Sequence, residues 1–349
     1  MSDLLKDSIE LYSKSDLKII ERMLKNAEVI VHEEDNKLSP DSREIISKML
    51  ETECEKVEKI IEKFEFEKLY KYSSIFEVSS PTDDLKEKLD SLIHNEGKIT
   101  NEDVPTVIKT GTLYIIKFLK RCVGVKLIEG VPRTYSVRYP MLAVYYPEYN
   151  VIETRVHTIS RFLRNDESDF YNERISEIRR DIESKFAVNL DAMPLDQTVN
   201  FIAENDSNVK VSSQKMQLAN GGDATLNSSQ SSDETVLPIL GELDAIIKDN
   251  SDLFEANEEC QQIKQLLEDF IKDTEETSEL PWRSLRWPNE IKRRIIQVKF
   301  NFVNLLSDNS NDFTLMEYYT NGRGSEGMNY VTKYIIKKYR ESGSWIWYI

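Results

Sequence analysis

The sequence has no long apolar run, which argues against a membrane-spanning helix. Its longest uncharged and mainly apolar stretch covers residues 139–147, far short of the roughly 20 apolar residues that a helix needs to cross a bilayer. The N-terminal segment alternates charged residues with leucines and contains no apolar signal core. We therefore expect neither export nor contact with a membrane.

Cysteine is also scarce, and the local motifs of common cofactor and metal sites are missing. Cys54, Cys122 and Cys260 lie too far apart in the chain for any ligand spacing. An odd and sparse number of cysteines argues for a reducing cytoplasm and against a disulfide framework. No Walker A sequence, Cys-x-x-Cys pair, His-Glu-x-x-His motif or Gly-x-Ser-x-Gly motif occurs. The sequence therefore predicts no metal site and no cofactor.

The composition is that of a globular, acidic protein. The 349 residues are 40% apolar and 31% charged, with a net charge of −16, and a chain of this length can bury two or three cores. The abundance of Lys, Asn, Ile and Glu is typical of an AT-rich microbial genome, and a role in a defence or mobile-element system would be compatible with it. The acidic balance disfavours wholesale wrapping by nucleic acid, so any such contact would be local.

Charge and aromatic residues are distributed unevenly along the chain. Residues 281–349 carry 11 basic and 6 acidic residues, whereas residues 201–280 carry 5 basic and 18 acidic ones. All four tryptophans and 13 of the 33 aromatic residues also fall within 281–349. This reversal of sign suggests that the C-terminal segment meets an acidic surface, either of a nucleic acid or of a protein.

Periodicity predicts an α+β protein that is mainly helical. Two apolar stripes in the first 65 residues, one within 17–30 and one within 46–64, have helical spacing and predict an antiparallel helical hairpin. Residues 107–160 are rich in Val, Ile, Tyr and Thr with recurring turns, which predicts an antiparallel sheet with strands near 112–119, 125–129, 133–146 and 150–158. A helix over 168–186 would pack on that sheet.

The C-terminal third is predicted to be a helical domain behind a linker. Residues 205–235 are rich in Ser, Asn, Gly and Gln, which favours a linker or long loop, although a short strand at 209–218 is the alternative. Ile291, Ile295, Val298 and Phe302 have the spacing of one helix face. The predicted layout is therefore a helical N-terminal region (1–100), an α+β middle domain (101–204), a linker (205–235) and a helical C-terminal domain (236–349).

One candidate catalytic cluster lies on the last predicted strand of the middle domain. The period of two along a strand places Glu153, Arg155 and His157 on the same face. A carboxylate, a guanidinium and an imidazole could serve as base, phosphate clamp and acid in metal-independent cleavage of RNA. The alternative is an exposed strand face with a Glu–Arg pair and a surface histidine, which is common in antiparallel sheets.

The basic C-terminal segment is the candidate nucleic-acid site. Basic helix faces and aromatic rings suit phosphate contact and base stacking. The candidate residues are Trp282, Arg283, Arg286, Trp287, Lys292, Arg293, Arg294, Arg323, Lys333, Lys337 and Arg340. Alternatively, this segment pairs with the chain's own acidic 201–280 region, and the tryptophans belong to a core.

These features together favour a non-enzymatic, cytoplasmic binding or assembly subunit of a multi-protein complex. The expected partner is either another protein or the backbone of a nucleic acid, which the basic C-terminal segment would contact. The alternative hypothesis is a metal-independent ribonuclease centred on Glu153, Arg155 and His157.

Overall fold

The computed structural model describes most of the chain in two compact units. The residues described are 2–30, 41–79, 82–93, 99–164, 169–217, 223–227, 238–276, 279–289, 294–302, 312–319 and 324–343. Unit 1 comprises Met1–Met193 and Gly322–Tyr334, and unit 2 comprises Pro194–Asn321 and Ile335–Ile349. Both units combine helices with antiparallel strands, so the α+β class is confirmed.

Unit 1 begins with four helices that share one core. They are α1 (Ser2–Leu11), α2 (Lys14–Asn26), α3 (Ser42–Thr52) and α4 (Cys54–Glu67). The residues of both predicted stripes lie in this core, including Leu17, Leu24, Ile46 and Phe64. The predicted hairpin is nevertheless wrong in its layout. Glu53 leaves the helical conformation (φ −131°, ψ 45°) and separates α3 from α4, and α1 packs with them.

The sheet of unit 1 is antiparallel and has the strand order β2–β3–β4–β5–β1. Its strands are β1 (Tyr72–Val78), β2 (Thr106–Thr110), β3 (Leu113–Ile128), β4 (Val131–Tyr146) and β5 (Val151–Val156). The short strand β6 (Leu190–Ala192) pairs with β1. The antiparallel sheet predicted for the middle of the chain is thus present. However, its partner strand β1 comes from the region that was predicted to be helical.

Two long strands, β3 and β4, form a hairpin in continuous register from Ile128↔Val131 to Tyr114↔Tyr145. Glu129 and Gly130 connect them, and both have positive φ (50° and 82°). Such φ values at both turn positions are those of the two-residue turn whose twist matches the flanking strands. The predicted break between two strands at 119–125 is absent, since β3 runs through it.

Two further helices belong to unit 1. They are α5 (Thr82–Ile93) and α6 (Phe170–Phe186). Helix α6 confirms the helix predicted over 168–186, and its buried stripe includes Ile175, Ile178 and Ile182. A three-residue 3-10 turn at Arg161–Leu163 lies against β3, where the Cα of Gly124 approaches the carbonyl of Phe162 too closely for a side chain.

Unit 2 contains a second set of antiparallel strands in the order β11–β10–β9–β7–β8. They are β7 (Lys210–Gln217), β8 (Asp223–Asn227), β9 (Glu279–Asn289), β10 (Arg294–Asn301) and β11 (Leu315–Tyr318). Its helices are α7 (Asp196–Asn205), α8 (Pro238–Asp249), α9 (Ser251–Phe254) and α10 (Glu258–Glu276). The last helix, α11 (Gly324–Gly343), contributes its first half to unit 1 and its second half to unit 2.

The helix predicted around residues 291–302 is wrong, because the described part of this segment is strand β10. Ile296, Val298 and Phe300 alternate with more exposed residues along it, which is the period of a half-buried strand. The apolar residues of this segment fit both periods, and pairing with β9 and β11 selects the strand. A purely helical C-terminal domain is therefore ruled out.

The predicted linker also contains ordered strands. Residues 210–217 form β7, which pairs with β8 and β9, so the alternative strand at 209–218 is the one found. Residues 228–235 lie outside the described part of the chain. The predicted boundary near residue 100 falls inside unit 1, because the N-terminal helices pack on the same body as the sheet.

Candidate functional site

A cluster of four charged side chains is buried between helix α4 and the sheet of unit 1. The carboxylates of Glu62 and Glu65 come from consecutive positions of one helix face, while Lys117 and Arg138 come from β3 and β4. Arg138 Nη2 lies 2.9 Å from Glu62 and 3.0 Å from Glu65, and Lys117 Nζ lies 2.6 Å and 3.0 Å from the same two groups. Two cations therefore neutralise two carboxylates inside the unit.

The charges of this cluster set the protonation state of Glu65. Burial alone would raise the pKa of this carboxyl, but Lys117 and Arg138 lower it to about 2 through their charges and hydrogen bonds. In turn, Glu65 raises the pKa of Arg138 against the opposing effect of burial. Because these groups satisfy one another, the cluster is a structural connection between α4 and the sheet.

A cavity of about 300 Å³ lies beside this cluster. The segment between α1 and α2 contributes Tyr12 and Ser13, and α2 contributes Asp16. Lys68 enters from the end of α4, and the segment after β5 contributes residues 157–160. Several elements that are distant in sequence therefore build this cavity, which has both polar and apolar lining residues.

Lys68 is the most unusual side chain of the cavity. It is only 9% exposed, and its Nζ lies 5.1–6.0 Å from the ring centres of Tyr12, Phe64 and Tyr70. Burial lowers the pKa of this ammonium, while the charges of Glu65 and Asp16 oppose that effect. A buried cation normally has a paired anion, whereas no described group forms an ion pair or a hydrogen bond with Lys68. Only the ring contacts and the more distant charges of Glu65 and Asp16 act on its ammonium.

His157, a predicted catalytic residue, borders the same cavity. It follows directly after β5, and its ring meets that of Tyr70 edge-on at a centroid distance of 6.1 Å. Burial, with the charges of Lys68 and Lys71, lowers the pKa of His157 to about 3. His157 is therefore neutral at physiological pH, and its Nδ1 is buried without a hydrogen-bond partner among the described residues.

The other two residues of the predicted catalytic cluster are fully buried. Arg155 Nη2 lies 2.5 Å from Glu153 and 2.6 Å from the amide oxygen of Asn329 in α11. The hydroxyl of Tyr146 also donates to Glu153 at 2.9 Å. The expected exposed strand face is therefore wrong, because both faces of β5 are covered.

Four residues of the predicted nucleic-acid site lie on strand β9, and they differ in how far they are buried. Trp287 is buried beside Phe300 at a centroid distance of 6.2 Å. The guanidinium of Arg283 donates to Gln214 at 2.9 Å and to Asn200 at 2.8 Å. Trp282 and Arg286 are half-buried, and Lys299 lies 4.2 Å above the Trp282 ring. Trp287 thus belongs to the interior of unit 2, whereas Arg283 is half-buried like Trp282 and Arg286.

The basic residues of helix α11 remain accessible. Lys337 and Arg340 are exposed and Lys333 is half-buried, while Met328, Val331 and Ile335 are buried. Three further candidates, Lys292, Arg293 and Arg323, lie outside the described residues, as does the side chain of Arg294. The accessible part of the predicted site is therefore the outer face of the last helix.

An exposed apolar surface on helix α10 was missed by sequence reasoning. We call it the α10 face, and it consists of Ile263, Leu266 and Phe270, which are 52%, 67% and 57% exposed. These positions follow one another at helical spacing and lie beside the half-buried Leu267 and Ile271. The helical periodicity was a visible signal, but periodicity does not reveal whether a stripe is covered.

A second exposed apolar surface lies at the tip of the β3–β4 hairpin. Val125, Leu127 and Val131 are exposed there, together with Lys126. The tip therefore combines apolar groups with a positive charge. It differs in this respect from the α10 face, which lies in an acidic segment.

No described helix is long and apolar enough to cross a membrane. The chain matches no protein-family model, no curated protein and no solved structure.

Proposed function

We propose that this protein is a non-enzymatic binding subunit that joins another protein of a complex through the α10 face. The observation that carries the proposal is the exposure of Ile263, Leu266 and Phe270 on one side of a 19-residue helix. Leaving a large apolar side chain in water forfeits about 1.5–3 kcal/mol relative to burying it. Contiguous apolar surface of this kind commonly marks a contact with another protein.

The shape of the stripe supports a docking role. The apolar side of α10 has two halves. Neighbouring groups partly cover one half, which consists of Cys260, Leu267 and Ile271, and the other half is the exposed α10 face. A helix that packs only on its own unit needs one covered stripe. The additional exposed half gives a partner anchor positions at i, i+3 and i+7.

The charge around the α10 face indicates what kind of partner fits. Residues 238–276 contain 12 acidic and 3 basic residues, a net charge of −9. A complementary surface would present apolar side chains surrounded by Lys or Arg. Opposite charges accelerate encounter and suppress wrong partners, so binding should weaken as salt screens them.

Recovery of partners from the native cells tests this proposal. The affinity-tagged full chain is compared with Leu266→Asp and with the control Gln261→Asp, which adds the same charge on the opposite side of α10. A partner should be recovered with wild type and control and lost with Leu266→Asp. Its affinity, measured with purified proteins, should fall by about 30-fold, as expected for loss of a central interface anchor of about 2 kcal/mol. Equal affinity of Leu266→Asp and wild type would contradict the proposal.

A second copy of this chain is an alternative occupant, since the hairpin tip is apolar and carries Lys126. Light scattering of the purified chain at low salt distinguishes the two cases. Self-association, instead of a separate partner, would be identified by a molecular mass that rises with protein concentration. Both Leu266→Asp and Leu127→Asp should abolish this rise.

Contact with a nucleic-acid backbone is a second candidate function, supported by the exposed Lys337 and Arg340 on α11. Each neutralised phosphate releases condensed counterions, so binding should weaken steeply with salt. Replacing both residues by Gln should lower the slope of log affinity against log salt by roughly two on duplex DNA. An unchanged slope, or no binding at low salt, would exclude this contact.

The ribonuclease hypothesis remains a prediction, although the geometry does not favour it. Glu153 and Arg155 have no exposed surface, and their groups bond to Tyr146 and Asn329. A phosphate clamp must reach its substrate, which a buried guanidinium cannot do without rearrangement of α11. RNA cleavage by the purified wild type that is abolished in His157→Ala would support the hypothesis.

A further inference from the structure

The ammonium of Lys68 is a buried charge that borders a cavity. Its side chain is 9% exposed, and the rings of Tyr12, Phe64 and Tyr70 surround it at 5.1–6.0 Å. No described group accepts a hydrogen bond from it. Removing a cation from water without pairing it with an anion is strongly unfavourable. We therefore expect a negatively charged hydrogen-bond acceptor beside the Lys68 ammonium.

The two carboxylates of the neighbouring buried cluster are already engaged with other cations. Arg138 pairs with Glu62 and Glu65, and Lys117 pairs with the same two carboxylates. Neither carboxylate can accept a hydrogen bond from Lys68 without weakening its pairing with Arg138 and Lys117. The carboxylate of Asp16 borders the same cavity but makes no hydrogen bond with Lys68, and the cavity of about 300 Å³ leaves room for an acceptor beside the ammonium. This volume lies at the lower end of small-molecule sites.

We propose that this cavity binds a small organic anion whose carboxylate or phosphate group pairs with the Lys68 ammonium. The anionic group lies against Lys68, in the part of the cavity that Tyr12 also lines. The proposal is independent of the protein-docking role of α10, because the cavity belongs to unit 1 and α10 to unit 2.

The mouth of the cavity restricts the ligand. Ser13 caps helix α2 by accepting a hydrogen bond from the Asp16 amide, so the positive end of a 13-residue helix borders the site. The carboxylate of Asp16 lies there as well and repels a second negative charge. A ligand of low charge is therefore favoured over a polyphosphate, and the hydroxyls of Thr158 and Ser160 can bond its polar groups.

His157 reports directly on the charge at Lys68. Burial is the main cause that lowers the pKa of His157, and the charges of Lys68 and Lys71 lower it further. Tyr70 contacts its ring, and the hydroxyl of Tyr139 donates to its backbone carbonyl at 2.7 Å. An anion that neutralises Lys68 removes one of the two positive charges acting on the imidazole. Binding should therefore raise the pKa of His157, which a merely structural Lys68 would not do.

Benzoate, phenyl phosphate and the uncharged benzamide are suitable probes, tested on the full chain. Thermal shift and calorimetry measure binding, and nuclear magnetic resonance follows the ring of His157, one of only three histidines in the chain. The variants are Lys68→Met, which removes the charge, and the control Lys59→Met, which changes an exposed lysine of helix α4, the helix that ends just before Lys68. Lys68→Met should remain folded, since it removes an unpaired buried charge.

At least one of the two anions should bind the wild type and Lys59→Met at millimolar concentration and raise the pKa of His157. Binding should be about tenfold or more weaker in Lys68→Met, as expected for the loss of a charged hydrogen bond, and benzamide should not bind. Preference for benzoate or for phenyl phosphate identifies the charged group. Absence of binding by both anions, or equal binding by Lys68→Met, would overturn the proposal.

Discussion

Glu65 of helix α4 and Arg138 of strand β4 form a two-point ion pair in the interior of unit 1. Arg138 Nε donates to Oε1 at 3.2 Å, and Nη2 donates to Oε2 at 3.0 Å. The planar guanidinium matches the carboxylate at both points, which gives the pair geometric specificity. The pair therefore fixes the position of α4 on the sheet and, with it, one wall of the Lys68 cavity.

Replacing Arg138 by Met should destabilise the protein strongly. After this change, Lys117 is the one cation of the cluster that remains to pair with the buried carboxylates of Glu62 and Glu65. Breaking a buried ion pair costs about 3–5 kcal/mol of folding stability. Urea unfolding measures this difference. Arg121→Met is the matched control, because Arg121 is an exposed residue of the same hairpin and surface changes usually stay within about 0.5 kcal/mol. Similar losses in both variants would refute the structural role of the cluster.

Acid should weaken the protein through Glu65. Its pKa is about 2 in the folded chain against an ordinary value of 4.5, so its contribution is fully present above pH 4.5 and is lost as the pH falls towards 2. The size of this contribution is about 3 kcal/mol. Unfolding free energies of wild type and Glu65→Gln should therefore converge between pH 4.5 and 2. A constant difference over that interval would show that Glu65 titrates normally.

His157 should add a second, milder acid dependence. Its pKa is about 3 in the folded chain against an ordinary value of 6.5, so the unfolded chain binds the proton first. The folded state is then disfavoured progressively as the pH falls from 6.5 towards 3, by about 2 kcal/mol at pH 5 relative to neutral pH. His157→Gln should remove this slope. Urea midpoints at pH 5 and pH 7.5 provide the measurement, and identical slopes in both proteins would contradict the buried, neutral imidazole.

Alternation along β10 predicts unequal effects of neighbouring substitutions. Val298 is buried and Ile295 is exposed, although both lie on the helix face suggested by the sequence. Val298→Ala should cost about 1–3 kcal/mol through lost burial and a small cavity, whereas Ile295→Ala should stay within about 0.5 kcal/mol. Thermal unfolding of the two variants tests the strand, and equal losses would instead favour a helix.

Strongly periodic segments could be predicted from the sequence, and ambiguous ones could not. The spacing of Ile175, Ile178 and Ile182 fits a helix and not a strand, and helix α6 lies at the predicted position. Strand β1 was missed because it is buried on both faces, so no alternation marks it. Ile295 and Val298 satisfied both periods, and only the pairing of β10 with its neighbours decided between them.

The candidate sites show the same division. Glu153, Arg155 and His157 could be placed on one strand from their spacing, but the covering of β5 on both faces turned an expected surface into an interior. Lys68 carries no local signal that separates it from Lys63 or Lys71, since its burial depends on contacts with Tyr12 and Tyr70. The exposure of Leu266 on α10 could not be predicted either, because periodicity identifies an apolar stripe but does not show whether another part of the protein covers it.

The sequence alone determined the α+β class, the helical nature of the first 65 residues, the central antiparallel strands and the segregation of charge, because these depend on composition and on local spacing. Only the tertiary structure decided which charges are paired, which aromatic residues are core and which apolar stripe is left exposed. Those properties depend on desolvation by residues that are distant in the chain. The pairing of Glu65 with Arg138, 73 residues apart, and the isolation of Lys68 beside them are outcomes of that kind.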